Sequence, residues 1–301
     1  MKKIILAAPL PAHADENLLG YVAGTETLPK GASVWLTKRS DKAQGSYTAY
    51  DAKAEYEYGL THRLTGSLAL MGQSIHTSGL VIDGYLPGSE SYGMRTSGIE
   101  GSLKYNFLSA VKDGIGLSTK FEMNYAWLDP HSGKDKQKGN AELTLQLQKN
   151  FLDDTLVVLL NTGIEATIAK RAKLSAADQA SADAAIQVLL ADPLATFEWP
   201  TDPEMEIEFT VGTGLSYRFA PNWFAGVETV YQTEFETGVG QERWSWFAGP
   251  TLHYGDKQWW ATLTWMTQLA GGKEKYIGQT EDLHLIEKTK QEVRLKLGYN
   301  F

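Results

Sequence analysis

Six histidines are the first side chains to weigh, because nucleophilic and metal chemistry both draw on imidazole. A hydroxyl nucleophile needs a histidine within hydrogen-bond reach, itself held by a third polar group. The histidines here are scattered: His13 lies near the start, His62 in a tight turn, His76, His131 and His284 in or beside long polar segments, and His253 alone on the inward face of a strand. No pair has metal-ligand spacing, so neither a catalytic set nor a metal site is expected. Gly212-Thr213-Gly214 is not a phosphate loop, because no helix follows it, and no cofactor is expected.

What remains is the chemistry of charge. Glu100, Glu122, Glu142, Glu165, Glu208, Glu228 and Glu292 alternate along the chain with apolar residues, as do Lys104, Lys120, Arg218, Arg294 and Lys296. In extended backbone that alternation gathers the charges on one face and the apolar side chains on the other. Charges facing a bilayer interior are costly, so these residues are expected to line a wet or internally paired lumen. Gly212, Gly214, Gly226 and Gly298 share the charged face, where small side chains leave room for water or let a small barrel bend.

The elements that carry these residues are long strands. Val293, Leu295, Leu297, Tyr299 and Phe301 alternate without a break against Glu292, Arg294, Lys296, Gly298 and Asn300, and Ile207 to Phe219 and Leu117 to Trp127 repeat the pattern. Such runs exceed the usual globular strand of about five or six residues and match the roughly nine to eleven of a tilted membrane strand. The pattern predicts strands at 31–39, 47–58, 64–75, 94–107, 115–128, 139–151, 155–169, 205–219, 223–235, 243–254, 258–269 and 287–301. Every second connector is tight, as at Leu152 to Asp154 and Ala220-Pro221-Asn222, while most of the others are long and polar. This alternation predicts an all-β, transmembrane antiparallel barrel of about twelve strands with short periplasmic turns and long external loops. Aromatics crowd the tight-turn ends, among them Tyr58, Phe107, Phe151, Trp223 and Trp259, as an interfacial girdle would. Two features fit poorly: Pro250 falls inside a strand, which calls for a bulge, and Phe247 and Trp260 point inward. Ser175 to Leu190 is Ala-rich and opens like a capping box, predicting a short helix within a long extracellular loop at 170–204, its Ile186, Leu189 and Leu190 free to dock on the barrel mouth.

Lys2 and Lys3, the apolar run Ile4 to Leu10 and Ala12-His13-Ala14 read as a cleavable signal peptide at 1–14, leaving 15–301 as the barrel. Its removal deletes two lysines and no acids, taking the formal charge from -8 to -10, which disfavours a nucleic-acid partner. No stretch reaches the eighteen apolar residues of a spanning helix, and a mean hydropathy of -0.29 is compatible with strands whose inner faces are polar. With no cysteine, stability must come from hydrogen-bonded closure and packing.

The ending Leu297-Gly298-Tyr299-Asn300-Phe301 resembles the terminal signal read by the outer-membrane barrel-assembly machinery, which would make Tyr299 and Phe301 the assembly signal. Gly20-Tyr21-Val22 with Thr27-Leu28-Pro29-Lys30-Gly31 is similar to the opening of a poorly characterised family of Gram-negative outer-membrane proteins. The resemblance implies the bacterial outer membrane, with lipid and lipopolysaccharide around the barrel, and names no substrate. The leading functional expectation is a porin-like channel, not an enzyme, passing small hydrophilic solutes with weak cation preference. That preference follows from acids expected toward the outer half of the lumen and bases toward the periplasmic half. A non-conducting structural or adhesion barrel is the alternative. An outer-membrane hydrolase, similar to the phospholipase with a Ser-His-Asn set on its outer wall, is a third.

Overall fold

Alternation of side chains leaves each long strand with one apolar edge of volume and one polar, and closure is the arrangement that satisfies every backbone group of such strands within lipid. The computed structural model of the chain describes residues 17–28, 30–41, 46–78, 91–236, 240–276 and 278–301. Twelve antiparallel strands close on themselves, each hydrogen-bonded to its sequence neighbours and β1 to β12. They are β1 (Lys30–Asp41), β2 (Ser46–Thr61), β3 (Leu64–Ser78), β4 (Ser91–Leu108), β5 (Gly116–Leu128), β6 (Asp135–Phe151), β7 (Leu156–Arg171), β8 (Glu204–Ala220), β9 (Trp223–Glu236), β10 (Gly240–Gly255), β11 (Trp259–Lys273) and β12 (Gln291–Asn300). The signal peptide expected at 1–14 lies outside the described residues.

The outer wall is apolar: Val34, Leu68, Ile99, Met123, Leu143 and Leu263 are all exposed, which only a hydrocarbon surround makes favourable. Rings gather at the rim with short turns, the periplasmic rim in barrels of this kind. Trp259 meets Tyr299 edge-on at 4.7 Å, Tyr299 meets Phe301 at 5.2 Å, and Tyr105 meets Phe107 at 4.9 Å. The turns there are tight enough to demand left-handed backbone: Leu152, Asp153 and Asp154 all have positive φ. One short turn carries a helix the sequence did not suggest, α1 (Ala110–Asp113).

At the opposite rim, α2 (Ala176–Leu190) is the expected loop helix, capped by Ser175 Oγ accepting from the Asp178 amide at 3.1 Å. It docks on its own loop: Ala182 and Ile186 pack with Phe197, while Leu189 and Leu190 stay exposed. The irregularity expected near Pro250 falls between Trp246 and Phe247. Phe247 and Trp260 do point inward and are buried. Phe247 packs on residues from the chain's N-terminal segment, and Trp260 stacks on His253.

Candidate functional site

Before β1 begins, the chain crosses the inside of the barrel. Residues 17–28 form a strap whose apolar side chains Leu18, Leu19 and Val22 are completely buried against Val157, Leu159, Phe224, Val230, Phe247 and Met266. A core of this kind inside the lumen requires gaps in the wall. Gly214 and Gly226 provide them, because a Cβ at Gly226 would lie 2.9 Å from Leu19 Cδ2 and one at Gly214 closer still. Glycines that alternation marked as open space for water are thus occupied by chain.

The strap is latched by one carboxylate. Glu228, 1% exposed, accepts the amides of Gly20 at 2.7 Å, Tyr21 at 2.8 Å and Val22 at 2.9 Å. Thr251 and Thr264 donate their hydroxyls to the same carboxylate at 2.8 and 3.0 Å. Three successive N–H groups around an anion make a backbone nest, and here the anion belongs to the wall. Beyond it Tyr21 donates its hydroxyl to Glu292 at 2.6 Å, and Arg294 lies over the Tyr21 ring at 3.7 Å while donating to the Gly20 carbonyl. Lys104 donates to the Gly24 carbonyl, Asn106 and Ser118 to that of Thr25, and Gln148 accepts the Thr25 amide.

At the other rim two loops fold inward. The turn 129–134 is built on Asp129, whose Oδ1 accepts the amides of His131 and Ser132 and whose Oδ2 takes Arg171 at 3.0 Å. Arg39 and Tyr47 pin it by donating to the Pro130 carbonyl. The β11–β12 connection buries Leu283, Leu285 and Ile286 against Tyr47, Ala49 and Ile75, and sends Glu287 to Arg243 at 2.7 Å. Burial lowers the imidazoles of His131 and His284 to about 3. Burial alone would raise the Asp129 carboxyl, but His131, Arg171 and Lys136 hold it at about 2.

Between strap and loops lies a cavity of about 550 Å³, bounded by Gly20 and Tyr21 on one side and His131, Glu287 and Lys288 on the other. Among the described residues its walls carry nine carboxylates and seven Lys or Arg side chains. Of the residues expected to line the lumen, Glu122, Glu142, Glu165, Glu208, Glu292, Lys120, Arg294 and Lys296 do face this cavity. Four inward residues do not: Glu228 and Lys104 are bonded to the strap, Glu100 is paired with Lys53 at 2.8 Å, and Arg218 sits half-buried near the short-turn end of β8. Alternation tells inward from outward but cannot show what already fills the inside.

Register adds an arrangement that no single strand reveals. Glu122 pairs with Glu142, Glu142 with Glu165, Glu165 with Glu208 and Glu208 with Glu234, one unbroken lateral row across β5 to β9. Arg39, Lys53, Arg294 and Lys296 enter the same cavity from β12, β1 and β2. The glutamates thus gather on one side of the circumference, although Lys120 and Lys138 stand among them and Asp51 and Glu292 among the bases. Tyr299 and Phe301 lie on the rim girdle, outside this site.

The histidines assemble no catalytic centre among the described residues. His253 is buried against Thr262 at 2.7 Å, and His76 meets Ser91 at 2.9 Å as an exposed cross-strand pair. No group of three potential metal ligands occurs among the described residues.

Residues 11–301 match a family described as a family of unknown function, DUF6662. No curated protein matches the chain. Among solved structures, the COG4313 outer membrane channel from Pseudomonas putida F1 superposes with a TM-score of 0.57 at 11% identity, over 92% of this chain and 98% of that one. The beta domain of the Bordetella autotransporter BrkA gives 0.56 at 11% identity, over 90% and 99%. The shared feature is the fold, that of an outer-membrane β-barrel.

Proposed function

The chain belongs to the DUF6662 family, and we propose that it is an outer-membrane channel for small hydrophilic solutes, weakly cation-preferring, whose resting form is narrowed by its own N-terminal strap. The observation that carries this reading is the charged cavity inside the barrel. The interior keeps a polar volume of about 550 Å³, within the size used for small ligands, roughly 300–1,000 Å³. The weak cation preference rests on the excess of carboxylates over Lys and Arg in that cavity. Likeness of fold to an outer-membrane channel is consistent with it. In this reading the apolar wall faces lipid and lipopolysaccharide, and Tyr299 and Phe301 serve assembly.

The strap favours a second reading, a structural barrel that does not conduct, because three backbone hydrogen bonds to Glu228, itself steadied by Thr251 and Thr264, hold it across the lumen. Planar-bilayer recording separates the two. A channel gives brief, uniform current steps, more frequent when the latch is weakened, with a reversal potential in a salt gradient shifted slightly toward cations. Silence both with and without the latch would establish the structural reading.

A further inference from the structure

We infer that the cavity takes a small zwitterion, a solute with a cationic and an anionic end, held across the lumen between two walls of opposite charge. The inference rests on the channel reading, in which this cavity lies on the solute's path.

The argument turns on which charges are already used. On the basic side, Arg39 is paired with Asp51 at 2.6 Å and Lys53 with Glu100 at 2.8 Å. Arg294 instead meets Thr37 Oγ1, the Gly20 carbonyl and the Tyr21 ring, and Lys296 lies over the Trp35 ring at 4.0 Å. Among the described residues neither forms an ion pair with a carboxylate, and both face the cavity two residues apart on β12. On the acidic side, Glu208 is paired with Lys288 at 3.3 Å and Glu122 with Lys120 at 2.5 Å. Glu142 and Glu165, directly opposed across β6 and β7, each accept a threonine hydroxyl, at 2.7 and 3.0 Å, and among the described residues neither forms a salt bridge, although Lys138 in the same cavity acts on Glu165 through its charge.

Like charges facing each other across a strand pair oppose folding, and unpaired charges away from bulk water cost more still. A solute supplying an ammonium to the Glu142–Glu165 pair and a carboxylate to Arg294 and Lys296 relieves both. The closed strand order makes this possible, since β12, which carries Arg294 and Lys296, is six strands from β6 and five from β7, so the two sites oppose each other. A barrel of twelve strands about 4.8 Å apart and tilted about 40° is about 24 Å across between backbones, of which the facing side chains leave about half. A solute with its charges about 10 Å apart spans that gap, the length of an extended tripeptide at about 3.3–3.6 Å per residue. A short peptide with free termini, or an amino acid with widely separated charges, is the class that fits.

Triglycine and its capped forms test this directly by ligand-observed NMR on the detergent-solubilised full chain. Triglycine carries both charges, triglycinamide only the ammonium, N-acetyl-triglycine only the carboxylate, and N-acetyl-triglycinamide neither. Triglycine should bind at least tenfold more tightly than either singly charged form. Glu165→Gln should reduce its affinity to that of N-acetyl-triglycine, and Lys296→Gln to that of triglycinamide. Equal binding of triglycine and triglycinamide would reduce the site to an acidic pocket, and equal or undetectable binding of all four would overturn the inference. The unmodified chain decides this even if a variant fails to assemble. Binding without bilayer conductance would sink the channel reading and leave the zwitterion site standing. Conductance with no preference among the four would do the reverse.

Discussion

Glu228→Gln is the sharpest perturbation of the strap, because it changes charge while keeping shape. The carboxylate presents Oε1 to Gly20, Thr251 and Thr264, and Oε2 to Tyr21 and Val22. An amide keeps one oxygen and turns an NH₂ toward the other set; the Thr251 and Thr264 hydroxyls can accept from it, so the strap loses either the Gly20 bond or both the Tyr21 and Val22 bonds. Hydrogen bonds to a charged group contribute about 1.5–3 kcal/mol each, so strap docking weakens by at least about 1.5 kcal/mol. Burial of Leu18, Leu19 and Val22, at about 1.5–3 kcal/mol each, still favours the docked strap. The variant should therefore open more often without standing permanently open. At a factor of ten per 1.4 kcal/mol, the undocked population rises at least about tenfold. Single-channel recording reads this as opening frequency at unchanged step size, and limited proteolysis of the detergent-solubilised protein reads it as new cleavage at Tyr21. Unchanged opening frequency together with a protected strap would refute the latch, and a changed step size would place Glu228 in the conducting path.

The outer loops should respond to acid. His131 and His284 are held neutral with pKa values near 3, below an ordinary 6.5, so released loops bind more protons and the folded cap loses stability as pH falls below about 6.5; each histidine contributes at most about 2 kcal/mol by pH 5. Asp129, held at about 2, adds its own loss only below about 3.8, so faster amide exchange at 129–134 and 283–287 near pH 5, flattened in a His131→Gln, His284→Gln variant, checks the histidines. Glu165→Gln should move the reversal potential toward anions more than Glu208→Gln does, because Glu208 is already paired with Lys288, and the difference should shrink in 1 M salt, where the Debye length is about 3 Å. Protease applied to intact cells should cut within 172–203 and spare Leu152 to Asp154. Deleting Phe301 should lower the amount of heat-modifiable, assembled barrel without reducing export.

The fold was legible because strand alternation is enforced by lipid on one side and polar interior on the other, so Glu292 to Phe301 or Met205 to Phe219 carries its orientation in its own sequence. The strap was not legible for the opposite reason. Leu18, Leu19 and Val22 are too few to show a period, and their partners, Gly214, Gly226 and Glu228, lie about two hundred residues away and have other plain explanations. What could have signalled it is the coincidence of an apolar triplet ahead of the first strand with clustered inward glycines on β8 and β9. The glutamate row was half legible: each member's inward aspect follows from alternation. Their alignment depends on register across four strand pairs, set by turns and bulges that propensity does not fix.

The direction in which the strap is bonded has a mechanical consequence. Its attachments follow one another along the chain: Asn17 to Thr262, then Gly20 to Val22 at Glu228, then Gly24 at Lys104 and Thr25 at Gln148, before β1 joins the sheet. A load applied at the Asn17 side meets these attachments singly, as a zipper does, whereas a load on β1 meets its backbone pairs with β2 and β12 together, in shear. Small forces can thus strip the strap while leaving the cylinder intact. The interior occupant and the wall are joined covalently, yet they yield at very different tensions.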